Sequence, residues 1–353
     1  MSDSTPTFPV LAAERPDAQQ QEVWMIERPR PRWWLYFLFL LLTMFSTTVV
    51  GARMESNFLR HQPIISMGDD ASDWFPISAA IHNPATLLAG LPFSLTLMFI
   101  LFCHEMGHYL YARHYRVYAT PPFFVPFPSL IGTLGAFIRI KSRIPSRAAL
   151  FDIGIAGPIA GFIPACIALA VGLSMSHPIV GHSSQPFELG FPLAFQLAHR
   201  VLGMRTPLTS LSLHPIAAAA WVGLFATALN LLPGGQLDGG HILNSISPPL
   251  HRVITILTVL SLVPLGKYFW TGWFLWAVLL GITRNHPPVP RYPGVQGRRV
   301  GVAICGLVIL ILSFTPAPFT HSSGKEVWPE LRDDARDAIH DLGDEAKHLM
   351  HRK

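Results

Sequence analysis

Long apolar runs separated by short basic loops set the pattern of this chain. From Thr86 to Cys103 no residue carries a formal charge. The spans predicted from such runs cover about 33–50, 86–111, 150–175, 215–232, 253–265, 268–282 and 300–314. A helix needs roughly 20 apolar residues to cross a bilayer. The runs therefore predict an all-α polytopic membrane protein with about 6–7 transmembrane helices, the fifth run being short for a span. Runs 253–265 and 268–282 read as a tilted helical hairpin with Lys267 at its tip. Arg28, Arg30 and Arg32, then Arg113 and Arg116, then Arg139, Lys141, Arg143 and Arg147, then Arg284, Arg291, Arg298 and Arg299 all fall on one side of such a path. Basic loops mark the cytoplasmic side, and Trp33-Trp34 after the first arginines form an interfacial anchor.

Two stretches break the pattern. Residues 120–128 hold too many prolines for a helix, and 133–141 combine β-branched and aromatic residues with glycines in partial alternation. This predicts a short membrane-associated β-hairpin or re-entrant segment whose open edge, at Gly135, Ala136 and Phe137, can pair with a substrate backbone. The same stretch also suits a plain interfacial loop. From Lys325 onward, Trp328, Leu331, Ala335, Ile339, Leu342, Ala346 and Leu349 recur at helical spacing among acidic residues, which predicts an amphipathic tail. The chain divides into a flexible cytoplasmic N-terminus (1–32), a transmembrane domain (33–316, core 86–245) and the tail (317–353).

Composition agrees with the pattern and narrows it. The 353 residues are 50% hydrophobic and 13% charged, which excludes a pair of ordinary soluble domains. Lys+Arg outnumber Asp+Glu by 26 to 21, but the basic residues sit in loops between spans, so they read as topology signals and not as a nucleic-acid surface. Cys103, Cys166 and Cys305 each fall within a predicted span, so no disulfide framework is expected. No cleavable-signal or transit-peptide pattern precedes the first run, and the expected location is a bacterial inner (plasma) membrane. Nothing in the sequence sets an oligomeric state.

The candidate chemistry lies at the end of the second run, in His104-Glu105-Met106-Gly107-His108. Histidines four apart share one face of a helix, so both imidazoles can reach one metal ion, and the intervening glutamate can take a proton from water there. A charged side chain at membrane depth costs roughly 2.5–3.5 kcal/mol on insertion scales and is usually functional. Catalytic zinc sites usually have three protein ligands. The third donor is sought in Asn230-Leu231-Leu232-Pro233-Gly234-Gly235-Gln236-Leu237-Asp238-Gly239-Gly240-His241, where Pro and Gly break the fourth span at the same depth. Asp238 and His241 are the competing donors, and Asp238 also suits a helix cap. Cys103 reads as a packing residue, Asp152 as a structural hydrogen-bonding group, and Gly154 to Gly161 as a small-residue seam for close helix approach.

His104-Glu105-Met106-Gly107-His108, Gly157-Pro158 and Asn230…Leu237-Asp238-Gly239 occur together in an order that resembles the site-2 protease family, the intramembrane zinc metalloproteases. The runs Gly132-Thr133-Leu134-Gly135-Ala136-Phe137 and Arg143-Ile144-Pro145-Ser146-Arg147 are similar to its cyanobacterial and plastid branch. The resemblance implies one Zn2+ per chain held by His104, His108 and Asp238, Glu105 as general base and acid, and Asn230 orienting substrate or steadying the oxyanion. It also implies a membrane-protein substrate cut within the lipid bilayer. The loop from about Ser176 to Leu213 is too short for the PDZ domain that many bacterial relatives carry. A metal transporter would show repeated halves and several intramembrane carboxylates, which this sequence lacks.

Overall fold

The computed structural model describes residues 32–65, 84–180, 189–320, 322–326 and 328. The expected N-terminal arm and most of the amphipathic tail lie outside the described residues. Among the described residues the chain is mostly helical. Helix α1 is Trp33–Leu59, α2 is Leu91–His114 and α3 is Arg147–Ser174. The short α4 is Leu193–Val201, α5 is Pro215–Asn230 and α6 is Asp238–Ile246. Helix α7 is Pro248–Tyr268, α8 is Gly272–Ile282 and α9 is Arg298–Ser313. Four helical stretches, Trp33–Leu59, Ala85–His114, Arg147–Ser174 and Pro248–Tyr268, are long and apolar enough to cross a membrane. Pro215–Asn230 and Gly272–Ile282 are shorter apolar helices.

Helices α2, α3 and α5 pack against one another and form the centre of the molecule. Alanines and glycines make this possible: Ala217, Ala218, Ala219 and Ala220 of α5 are all buried, as are Ala165, Ala168 and Gly172 of α3. Without bulky side chains between them, the backbones approach closely and dispersion does the holding. The outward faces are the reverse of a soluble protein's surface. Phe99, Phe102, Ile163, Ile167, Leu257, Leu260 and Val278 are exposed, as lipid-facing side chains are.

Two helix ends differ from the sequence expectation, for one reason. Helix α1 continues nine residues beyond Val50 to Leu59, through Arg53 and Glu55, because Met54, Asn57 and Phe58 remain buried on its inner face. Helix α7 begins at Pro248 rather than about 253, with the Ser247 hydroxyl accepting from Leu250 N–H and proline in the first turn. At 21 residues it reaches spanning length, so the short fifth run was an underestimate. Hydropathy finds the oily middle of a helix, whereas caps and inner-face packing set its ends.

The predicted hairpin is present. Strand β1 (Phe123–Pro126) pairs antiparallel with β2 (Thr133–Phe137), in a register that sets Phe123 opposite Phe137 and Val125 opposite Gly135. Phe123 packs on Phe39 and Tyr36 of α1, with ring centroids 4.7 and 5.6 Å apart. Among the described residues the sheet has these two strands, and there β2 keeps one edge without a strand partner. The loop after α3 holds α4 and a second small pairing of β3 (His177–Pro178) with β4 (Leu211–Ser212).

Candidate metal centre

His104 and His108 fall on the buried face of α2 together with Leu97, Leu101 and Glu105. Their rings stand 4.9 Å apart at 68°, with the two Nε2 atoms 3.2 Å from each other. Asp238 Oδ2 lies 3.2 Å from His104 Nε2 and 3.2 Å from His108 Nε2. These three residues are the one group of metal-type donors found among the described residues. A tetrahedral ion with bonds of about 2.0–2.1 Å spaces its ligands roughly 3.3 Å apart. Three equal separations of 3.2 Å fit that figure.

Proton bookkeeping points to a cation as well. His108 Nδ1–H donates to the Ile153 carbonyl at 2.7 Å, which leaves Nε2 of the neutral ring as a bare lone pair. A ligating histidine is commonly oriented by such a carbonyl. A bare nitrogen, a second imidazole nitrogen and a carboxylate oxygen converging on one point repel one another unless positive charge lies between them. The donor set, two nitrogens and one oxygen, suits zinc. Helix α3 admits the ring because residue 157 has no side chain: a Cβ at Gly157 would lie 2.0 Å from His108 Nε2.

Asp238 arrives by a different route. Helix α5 ends at Asn230, and residues 231–237 form an irregular turn in which Gly235 takes φ +58°, a left-handed conformation. Asp238 is then the first residue of α6, capped by Leu237, so it is not itself the cap. Next in sequence, Gly239 packs so tightly that a Cβ would lie 2.2 Å from the Leu231 carbonyl oxygen. Side chains of α7 hold the turn: His251 Nε2 bonds the Gly235 carbonyl at 2.9 Å, Thr255 Oγ1 accepts from Gly235 N–H at 3.3 Å, and Thr258 Oγ1 donates to the Pro233 carbonyl at 3.1 Å.

Most of the remaining expected residues gather here. Asn230 Nδ2 lies 3.4 Å from His104 Nε2. Glu105 is buried, and the main-chain N–H of Ile138, just past β2, bonds its carboxylate. A cavity of about 230 Å³ joins the triad, Glu105 and Asn230 to Ala136 and Phe137 of the hairpin. Gly135, the third predicted edge residue, is not among the residues lining it; it has φ +103° and open space where a side chain would stand. His241, the competing donor, lines the cavity but turns its Nδ1 to His286 at 2.8 Å, outside the triad. Asp152 has the structural role expected of it, paired with Arg299 at 2.7 Å and bonded to the Tyr115 hydroxyl. Reading the sequence missed His251 and His286. Their one visible signal is polar chemistry at the edges of apolar runs, which many solvated histidines share.

Comparison with known proteins agrees with this geometry. The family model described as "Peptidase family M50" matches residues 92–263. The rice "Probable zinc metalloprotease EGY1, chloroplastic" is 29% identical over 314 residues, covering 85% of this chain and 52% of that protein. The Arabidopsis thaliana "Probable zinc metalloprotease EGY2, chloroplastic" is 32% identical over 304 residues, covering 84% and 51%. This chain thus spans about half the length of the curated relatives it matches. Residues 92–263 form a Peptidase family M50 (site-2 protease) domain.

Proposed function

We propose that the chain is an intramembrane zinc metalloprotease that hydrolyses peptide bonds in or near the transmembrane segments of membrane proteins. The observation that carries the reading is the triangle of 3.2 Å separations among His104, His108 and Asp238, set beside a buried glutamate between helices with lipid-type outer faces. His104, His108 and Asp238 would hold the zinc, which would supply Lewis acidity and bring the pKa of water toward ~7. Glu105 takes the proton from the attacking water and hands it to the departing amine. The Asn230 amide, within reach of the same point, donates to the carbonyl oxygen as it gains charge.

A substrate helix hides its carbonyls in its own hydrogen bonds, so a local segment must unwind before it is cut. The free edge of β2 can hold that segment by strand addition, beside the cavity that contains Glu105. Six to seven crossings with basic loops in the cytoplasm complete the proposed topology, and water reaches Glu105 from that side. The chain is then a multi-pass integral membrane protein. Its relatives' names place them in chloroplasts, which weighs for a plastid-type membrane over the bacterial one expected from the sequence. The deciding experiment is Glu105→Gln in a chain purified with its zinc. Cleavage of a membrane-anchored reporter should fall at least about a hundredfold while one zinc per chain is retained, since proton transfer alone contributes ~10²–10⁴. Substantial residual cleavage ends the assignment.

A further inference from the structure

One segment outside the donor triad touches both sides of it. Residues 283–297, between α8 and α9, run across the start of α3 and along α6. The carbonyls of Pro290 and Pro293 accept from Arg147 N–H at 3.1 Å and Ala148 N–H at 3.0 Å, the first residues of the helix that supplies the Ile153 carbonyl to His108. The Asn285 carbonyl accepts from Gln236 Nε2 at 3.0 Å, in the turn that precedes Asp238. His286 completes the strap: its Nε2 lies 2.8 Å from His241 Nδ1, and its Nδ1 lies 2.7 Å from the Pro287 carbonyl and 3.0 Å from the Asn244 amide.

The proton positions in this chain follow from its end. A carbonyl only accepts, so His286 Nδ1 carries the hydrogen toward Pro287, and the Asn244 amide shares it through its oxygen, the N/O orientation of an amide being an assignment. His286 Nε2 is then a bare acceptor, and His241 Nδ1–H donates to it. Donation then runs from His241 through His286 to the Pro287 carbonyl, without any charged histidine. His241 stands three residues after Asp238 on the same helix, so the hydrogen bond acts on the carboxylate's own platform. That platform needs support from outside. It is nine residues long, too short to be stable alone, and its N-cap Leu237 offers no side-chain bond.

We infer that the His286–His241 hydrogen bond, with Asn244, is a positioning device that holds the Asp238 helix in register with His104 and His108, so that strap residues 283–297 set how firmly the metal is retained. The inference rests on the metal-centre reading but not on proteolysis. Its test is the rate at which zinc leaves the purified full-length chain into excess chelator. The rate is measured for the parent chain, His286→Ala and His286→Gln, each also on a Glu105→Gln background. Removing an outer support of a metal ligand typically weakens the site 10–100-fold. His286→Ala should release zinc about tenfold faster while still binding one ion at saturation. The glutamine amide oxygen can take the place of Nε2 as acceptor, so His286→Gln should stay within about threefold of the parent. Equal release from the parent and His286→Ala overturns the inference, as does a His286→Gln chain that leaks zinc as fast as His286→Ala. A chain that retains zinc in this manner but cleaves nothing sinks the protease reading and leaves this one standing.

Discussion

His104 and His108 stand on one unbroken 24-residue helix, whereas Asp238 opens a nine-residue helix after an irregular turn. The histidine side is held by packing: α3 lies against it without a side chain at Gly157, and one carbonyl, Ile153, sets a ring. The aspartate side is held by hydrogen bonds from His251, Thr255, Thr258 and His286, all reaching in from elements later in the chain. A packed seam is stiff and fails when a volume changes. A hydrogen-bonded turn can be adjusted one bond at a time, and each loss is smaller.

The sharpest way to break the contrast is to add volume to the seam. Gly157→Ala places a methyl group 2.0 Å from where His108 Nε2 now lies, a distance no rotamer adjustment of a backbone-anchored methyl can relieve. Zinc content by elemental analysis should fall close to zero, although the change is one carbon. On the aspartate side, Asp238→Asn keeps the shape but removes the anionic donor. Affinity should fall by more than the 10–100-fold typical of outer-support changes, measured by competition with a chelator of known strength. Zinc retention near the parent value in Gly157→Ala would mean that the seam yields, and the contrast would fail.

The same contrast explains what could be read from the sequence. Histidines four apart on an oily run reveal their common face by helix geometry alone, so His104, Glu105 and His108 were legible without any partner. Asp238 lies 134 residues from His104, and nothing in its own neighbourhood distinguishes it from His241. Resemblance favoured Asp238; in the structure His241 turns its Nδ1 to a residue 45 positions further on. The hairpin was legible because prolines exclude a helix from 120–128, while its site-facing residues depended on pairing register. Helix ends were misjudged at Leu59 and Pro248 because inner-face burial and a serine cap, and not hydropathy, decide them. Information carried by local periodicity survives in one sequence. Information carried by long-range hydrogen bonds does not.

A smaller effect tests the turn itself. Thr255→Val keeps the volume of a buried side chain but leaves Gly235 N–H without its acceptor and removes the bond to the His251 carbonyl. An unsatisfied buried donor costs about 1–3 kcal/mol. The expected result is a lower melting temperature in detergent and faster zinc release, with zinc stoichiometry unchanged at saturation. At the hairpin, Gly135→Val forces a β-branched residue into φ +103°. It should lower kcat/KM for a membrane-anchored substrate by about tenfold, equivalent to ~1.4 kcal/mol, and leave zinc content intact. A loss of zinc instead would tie the hairpin to the metal and not to the substrate.

The smallest expected effect lies at the far end of α5, the helix that delivers Asn230. There the His214 ring caps the helix, its Nδ1 accepting from Ile216 N–H at 3.2 Å, and Phe58 packs on it with ring centroids 5.0 Å apart. Capping requires a bare Nδ1, and burial, with His177 nearby, holds the His214 pKa below its ordinary value. The unfolded chain protonates this histidine near pH 6.5. Below that pH the unfolded state takes up a proton that the folded state resists, so stability falls as pH falls, and above about pH 7.5 this contribution is flat. His286, also lowered chiefly by burial, acts in the same direction, so the parent's slope is a sum. His214→Asn keeps a good capping group that does not titrate. Melting temperatures between pH 5 and 8 should therefore show a shallower acid slope in His214→Asn than in the parent. Identical slopes would mean that the cap survives protonation by another donor–acceptor arrangement, and that this end of α5 is held by its packing on Phe58 and the His214 N–H bond to Ser176 Oγ.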